Sequence, residues 1–378
     1  MSKQLILKGE SCYRQLEDYL VKKKYKKIML VCGKSLFSTN AGLFFNELTQ
    51  RCGIEIIQFS GFSPNPDYTD VKNGVSLFRG QKCDAVCGAG GGSAMDTAKC
   101  IKLFAKMSDN TEYLDQKIIP NDIPVIAIPT TAGTGSEATR FAIIYYNGLK
   151  ISVTDESCIP DTVLFDPDLL STLPDLHRNS AMLDALCHAI ESFWSSRSRI
   201  ESIDYSRKAI CMIMNNMEGY INHDSRCSPA MLEAANLAGK AINITTTTAA
   251  HAMCYKLTKL YGIPHGNAVA LCIPEVYRFL YMNKDRCTDH RGASHLSFIL
   301  EEIPELLGCS DFITTYEFLK DLPEKLGLQT AQTNSASEID LLTKSVNIER
   351  LSNSPVIPNS NEIREMYLQI LGKGDKIC

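Results

Sequence analysis

Two apolar runs that end in glycine- and threonine-rich stretches, "DAVCGAGGGSAMDTAK" (84–99) and "IPVIAIPTTAGTGSEATR" (123–140), constrain this chain most. A short apolar run without polar alternation suits a strand buried on both faces, which is the position of a strand in a parallel sheet covered by helices. Two further runs, "KKIMLVCG" (26–33 with its flank) and "IEIIQF" (54–59), have the same β-rich texture. Between them "DYTDVKNGVSLFRGQ" and "SAMDTAKCIKLFAK" carry helical spacing. Strands alternating with amphipathic helices predict parallel strands joined by crossover helices. "FAIIYYNGLKISVT" places Asn147-Gly148 between two β-rich runs, a hairpin signal, and "TVLFDP" closes the alternation.

From "DPDLLSTLP" onward apolar residues recur at three and four spacings, with little β-branched alternation. The expected organisation is therefore an α/β domain over residues 1–165 and an all-helical domain over 166–378. Pro174, Pro264, Pro274, Pro323 and Pro355 are expected near helix boundaries, where a missing N–H is cheap. A chain of 378 residues is long enough for two cores.

Net charge is −4 with basic and acidic residues interspersed, so no nucleic-acid partner is expected. No apolar run approaches the roughly 18 residues of a membrane span, and no membrane partner is expected. The fifteen cysteines, an odd number without a C-x-x-C pair, fit reduced thiols and a cytoplasmic location.

The glycine-rich stretch runs from a strand into a helix through Gly90, Gly91, Gly92 and Ser93. Glycines allow close backbone approach, and the following helix directs N–H groups and its positive dipole end at an anion. A dinucleotide pyrophosphate would fit, although a glycine cluster alone can also be only a tight turn. The second stretch offers the hydroxyls of Thr130, Thr131, Thr134 and Ser136. Two such loops at the carboxyl ends of neighbouring strands favour a bound cofactor, because open α/β sheets bind ligands at that edge.

In the helical half, Asp184 and His188 stand four residues apart, hence on one helix face. By itself such a pair is commonly a surface or capping interaction. His251, on another helical run, and His265, in the turn after it, add two nitrogens. One carboxylate and three imidazoles suit a divalent iron or zinc.

Taken together, "FSPNPD", "GGGSAMDTAK", "PTTAGTGSEAT", "DPDLLSTLP", "LDALCHAIES" and "HAMCYKLTKLYGIPHGNAVALCIP" resemble the iron-containing (group III) alcohol dehydrogenase family, in its order and near its spacing. The resemblance implies a nucleotide-binding α/β domain of the dehydroquinate synthase-like kind followed by an all-α metal-binding domain. Its metal ligands fall on Asp184, His188, His251 and His265, with Fe(II) expected and Zn(II) as the alternative. Its cofactor, NADPH or NADH, would be held by Gly33, Lys34, Ser35, Asn65, Gly91, Gly92, Ser93, Asp96, Thr130, Thr131, Thr134 and Lys150. NAD-specific members tend to carry an acidic residue after the first strand; this chain has Gly33, Lys34 and Ser35, which should tolerate NADPH. Relatives commonly have a proton-handling histidine where this chain has Tyr255, so Tyr255 is expected either to serve catalysis as a proton donor or to shape the pocket. A homodimer is implied by the family.

More narrowly, "GSEATRFAIIYYNGLKISV" and "LDALCHAIESFWS" resemble the phosphonoacetaldehyde reductase branch. That implies a small aldehyde substrate bearing a phosphonate, reduced to 2-hydroxyethylphosphonate, with Arg140 and Arg197 as candidate anion partners. The alternatives are a general short-chain alcohol or diol dehydrogenase of the same family and, from another class, a noncatalytic nucleotide-binding module.

Overall fold

The computed structural model describes residues 4–333 and 335–372. The chain divides into two compact units, Met1–Thr172 and Leu173–Cys378.

The first unit is built on strands β1 (Leu5–Lys8), β2 (Lys27–Cys32), β3 (Glu55–Phe59), β4 (Ala85–Gly90), β5 (Val125–Pro129), β6 (Phe141–Tyr146), β7 (Leu149–Thr154) and β8 (Thr162–Phe165). Its helices are α1 (Cys12–Lys22), α2 (Asn40–Cys52), α3 (Tyr68–Gln81) and α4 (Gly92–Phe104). Six strands form one parallel sheet in the order β1-β8-β5-β4-β2-β3. β5 is buried throughout, and β2 and β4 nearly so, which explains their apolar sequences. The chain runs from β2 outward to β3 and then returns to the other side of β2 with β4. This reversal opens the ligand-binding crevice of doubly wound folds beyond the carboxyl ends of β2 and β4.

β6 and β7 form a separate antiparallel hairpin. Both Asn147 (φ 52°) and Gly148 (φ 75°) adopt the left-handed conformation that a two-residue hairpin turn of matching twist demands. β1 was not foreseen: "LILK" is too short to show a period, and it becomes a strand by pairing with β8.

Lys99, in the fully buried middle of α4, ties this unit together. Its ammonium donates to the Ser136 carbonyl, to Ser136 Oγ (2.9 Å), to the Thr139 carbonyl (2.9 Å) and to the Phe141 carbonyl (2.8 Å). Beside it the Asp96 carboxylate accepts from Ser136 Oγ (2.7 Å) and from the Ile143 amide (3.0 Å). The threonine-rich stretch after β5 is thus anchored to α4 by charged groups that have left water, and such groups persist only when fully hydrogen-bonded.

The second unit is helical: α5 (Asp175–Trp194), α6 (Ile200–Ile221), α7 (Ser228–Thr245), α8 (Ala249–Tyr261), α9 (His265–Met282), α10 (Ala293–Leu306), α11 (Phe312–Lys325), α12 (Ala336–Ser345), α13 (Ile348–Leu351) and α14 (Ser360–Leu371). α5 is the axis, packed by α6, α7, α9 and α10. It is buried almost continuously from Arg178 to Trp194. Pro174 and Pro264 sit at the N-caps of α5 and α9, and Pro355 lies beyond the end of α13. Pro323 lies in the last turn of α11, and Pro274 departs from expectation by lying in the middle of α9. An interior proline disfavours a helix by about 3 kcal/mol; Pro274 is buried, and packing outweighs that loss. Among the described residues no helix is long and apolar enough to cross a membrane, and the cysteines are all free.

Replacing Lys99 by Met would keep the apolar stem and strand the Ser136, Thr139 and Phe141 carbonyls. A loss of about 3 kcal/mol is expected. A lower urea midpoint at unchanged slope would show it, and an unchanged midpoint would refute the anchoring role.

Candidate metal centre and nucleotide loops

The register places Gly90 opposite Pro129, so the loops after β4 and β5 leave the sheet side by side. The Thr130 amide donates to the Gly90 carbonyl (3.0 Å). A Cβ on Gly92 would stand 3.1 Å from Thr134 Cγ2, so glycine is what lets the loops meet. A third loop joins them: Asn65, at φ 60°, donates its amide to Ser93 Oγ (3.2 Å). Asn65, Gly91, Gly92, Ser93 and Thr134 are thereby brought together at the N-terminus of α4, with Thr130 and Thr131 in the loop beside it. Gly33, Lys34 and Ser35 are exposed at the end of β2. Asp96 faces the other way, with both oxygens engaged as a brace. Lys150 lies on β7 opposite Tyr145, near enough for its charge to favour the Asp96 carboxylate against burial.

The second unit gathers the other candidates. α5 projects Asp184, His188 and Glu191 from one face, at spacings of four and three. α8 contributes His251 and Tyr255 one turn apart, and α9 begins with His265. Ligand atoms of Asp184, His188 and His251 all lie within 4.8 Å of one another. From Asp184 Oδ1, the Nε2 atoms of His251, His188 and His265 are 3.6, 3.9 and 3.9 Å away. These gaps are too long for hydrogen bonds. They approach the edge of a tetrahedron of ligands at about 2.1 Å from a metal, which is about 3.4 Å.

Two atoms test the fit. Asp184 Oδ1 and His251 Nε2 are buried without a hydrogen-bond partner. Leaving such atoms unmatched disfavours the fold, and one divalent cation between them would satisfy both. The N/O donor set suits iron or zinc. His265 stands at the rim, outside the mutually close trio, with its side chain 36% exposed against 8% for His188 and 3% for His251.

Gly266 admits His265 to this place. A Cβ there would lie 2.0 Å from the Ser180 carbonyl and 2.8 Å from Asp184 Cβ, so α9 could not approach α5. The Asn267 amide then donates to Ser180 Oγ (3.1 Å), fixing the junction.

Glu191, which sequence reasoning missed, positions the trio. Wholly buried, it accepts at Oε1 from the Thr248 hydroxyl (2.6 Å) and from the amides of Thr248 (3.2 Å), Ala250 (2.9 Å) and His251 (3.4 Å). Those amides form the N-terminus of α8, so a side chain of α5 caps a neighbouring helix and meets its positive dipole end. Oε2 contacts His251 Nδ1. A proton on Nδ1 leaves Nε2 turned toward Asp184 with its lone pair available to a metal. Although burial opposes charge, Glu191 and Asp184 carry the His251 imidazole up to about 9. Asp184 is likewise held well below the usual carboxylate range: burial works against this, and the charges of His188, His251 and His265 prevail. The signal for Glu191 was its place one turn after His188 on the same face.

Tyr255 stacks parallel to His265, at 4° and 5.8 Å between ring centroids. Its oxygen accepts from Arg350 Nη1 (2.6 Å). Burial pushes the phenol above its ordinary value against the pull of Arg350, so the phenol keeps its proton. Arg350 was also missed, being 95 residues from its partner. Of the anticipated anion partners, Arg140 is paired with Glu156 (2.9 Å) in the first unit. Arg197 is exposed beyond the end of α5, whose stretch from Asp184 to Trp194 alone spans about 15 Å.

Glu191→Gln would keep the shape and remove the charge. Metal affinity is expected to fall about 10- to 100-fold, as read by chelator competition. Unchanged affinity would reduce Glu191 to a helix cap.

Comparison with known proteins supplies the lineage. Residues 4–167 match the family description "iron-containing alcohol dehydrogenase", and residues 179–367 match "Fe-containing alcohol dehydrogenase family, C-terminal". The 1,3-propanediol dehydrogenase of Citrobacter freundii is 32% identical over 70% of each chain. An iron-containing alcohol dehydrogenase from Thermotoga maritima superposes with TM-score 0.84 at 28% identity over 98% of each chain. The sulfoacetaldehyde reductase of Bifidobacterium kashiwanohense, solved with NAD+, shares the fold with TM-score 0.84 at 24% identity over 98% of each chain. Two consecutive family matches spanning most of the sequence, with a helical half that gathers Asp184, His188 and His251, make this chain a member of the iron-containing alcohol dehydrogenase family of oxidoreductases.

Proposed function

We propose that this protein is a metal-dependent, nicotinamide-linked aldehyde reductase whose substrate is a short aldehyde bearing an anionic group, with phosphonoacetaldehyde as the foremost candidate. The observation that carries the metal-dependent part is the buried meeting of Asp184 Oδ1 and His251 Nε2, two ligand atoms that no protein group satisfies. The anionic substrate rests on the resemblance of the stretches around Arg140 and His188 to the phosphonoacetaldehyde reductase branch.

Asp184, His188, His251 and His265 would hold the cation. When bound, an iron or zinc ion supplies Lewis-acid polarisation of a carbonyl and the reduced nicotinamide supplies hydride. The chain's own residues do the remainder. Glu191 fixes the His251 ring so that Nε2 faces Asp184. Gly91, Gly92 and Ser93, at the N-terminus of α4, offer backbone amides to the cofactor's pyrophosphate. Gly33, Lys34 and Ser35, at the end of β2, present a cation and no carboxylate, so NADPH is accepted as well as NADH. Tyr255 holds a proton at Oη, and that oxygen accepts from Arg350, which positions the hydroxyl as the proton donor to the product alcohol.

A second reading, a dehydrogenase of short diols, is favoured by the 32% identity to a 1,3-propanediol dehydrogenase. Both are tested by restoring Fe(II) or Zn(II) to metal-stripped protein and following NADPH and NADH oxidation. The panel includes phosphonoacetaldehyde, 3-hydroxypropionaldehyde and propionaldehyde. Metal-dependent oxidation with phosphonoacetaldehyde preferred is expected; a preference for the hydroxyaldehyde moves the assignment to diols, and no oxidation with any aldehyde refutes the reductase. Tyr255→Phe is expected to lower kcat by about 10²-fold, within the usual range for a general acid. Unchanged turnover would make Tyr255 a packing residue.

A further inference from the structure

We propose that Arg350 is the specificity-determining residue of this site: its guanidinium binds the oxyanion group of a short aldehyde whose carbonyl faces the Asp184, His188 and His251 centre. This rests on the anionic-aldehyde reading above and assigns that reading a residue.

Arg350 lies on α13, a four-residue helix packed against α8. Nη1 donates to Tyr255 Oη at 2.6 Å, and Cζ lies 4.9 Å from the centroid of the same ring. That ring stacks on His265, whose Nε2 is 3.9 Å from Asp184 Oδ1. One tyrosine and one imidazole therefore separate the guanidinium from the metal-binding carboxylate.

In this unit Arg207, Arg226, Arg278, Arg286, Arg291 and Arg364 each face a carboxylate within ion-pair distance, whereas the buried Arg178 donates to the Tyr220 carbonyl and lies over the Tyr220 ring. Arg350, half-buried, has no carboxylate at such a distance among the described residues, and its hydrogen-bonding partner is a neutral phenol. A guanidinium has five N–H donors in a planar fork. The phenol uses one direction, and the rest of the fork matches a phosphonate, sulfonate or carboxylate. Arg140 is already committed to Glu156, and Arg197 lies beyond the far end of α5, so neither competes for this assignment.

The test compares Arg350→Met, Arg350→Lys and the unmodified metal-loaded protein. In the unmodified protein, kcat/KM for phosphonoacetaldehyde is expected to exceed that for propionaldehyde. In Arg350→Met the ratio should fall roughly 10- to 100-fold, the range for a hydrogen bond to a charged group. Loss of the bond to Tyr255 acts on both substrates and cancels in the ratio. Arg350→Lys, which keeps the charge and loses the fork, should lie between. Independently of turnover, calorimetric titration of 2-hydroxyethylphosphonate into the cofactor-free protein should show the same loss of affinity in Arg350→Met.

An unchanged ratio and unchanged phosphonate affinity in Arg350→Met would overturn the assignment while leaving the anionic-aldehyde reading intact. A protein that in unmodified form prefers propionaldehyde and does not bind 2-hydroxyethylphosphonate would overturn both. Should Arg350→Met fail to fold by circular dichroism, Arg350→Lys decides: a ratio equal to that of the unmodified protein refutes the role of the fork.

Discussion

Glu191 is the interaction on which the helical half depends. Removing a carboxylate from water disfavours the fold by several kcal/mol unless every lone pair is met. Here they are met by the first amides of α8, by the Thr248 hydroxyl and by His251 Nδ1. The Trp194 indole N–H donates to that same hydroxyl at 2.9 Å, so one turn farther along α5 the helix grips the same junction again. The direction of α8 is set by this contact, and with it the ring of His251, the place of Tyr255 one turn on, and the partner Arg350 finds there. Because a half-satisfied buried charge is worse than none, α8 is held in one orientation rather than a range.

The glycine-rich motif shows how the first half reaches a comparable definition by a different route. In "GGGSAMDTAK" the glycines and Ser93 lie at the open edge of the sheet, where close approach matters. Asp96, which the resemblance implies as a cofactor residue, and Lys99 turn inward to hold the neighbouring loop. A loop rich in threonine and glycine has little packing of its own, so its shape must be imposed from outside. Buried hydrogen bonds from Lys99 to the Ser136, Thr139 and Phe141 carbonyls do this.

Local periodicity made most of the fold legible. Continuous apolar runs became the buried strands β2, β4 and β5, and Asn147-Gly148 became a hairpin turn because few residues adopt two successive positive φ values. β1 was illegible because four residues carry no period, and its identity as a strand comes from β8. Pro274 misled because the rule against interior prolines is a local one, and tertiary packing overrode it. At the metal centre, Asp184 with His188 and His251 with Tyr255 were legible as same-face pairs within single helices. That α5, α8 and α9 bring the imidazoles to one carboxylate was legible only through the family resemblance, since pairing between helices leaves no trace in spacing.

Arg350 belongs to the least legible class of all. It sits on a single turn of helix in a stretch with no periodic signal, and what marks it is its contact with the Tyr255 phenol, with no carboxylate at ion-pair distance among the described residues. The division of labour follows from this contrast. The candidate ligand atoms, which would have to meet within tenths of an ångström, come from the long helices α5, α8 and α9, which other helices pack against. A group that chooses among aldehydes needs only to present charge at the right place, and a short element on the surface of α8 suffices. If Arg350 acts as proposed, substitution on α13 would change the choice of aldehyde without disturbing Glu191 or the junction it secures.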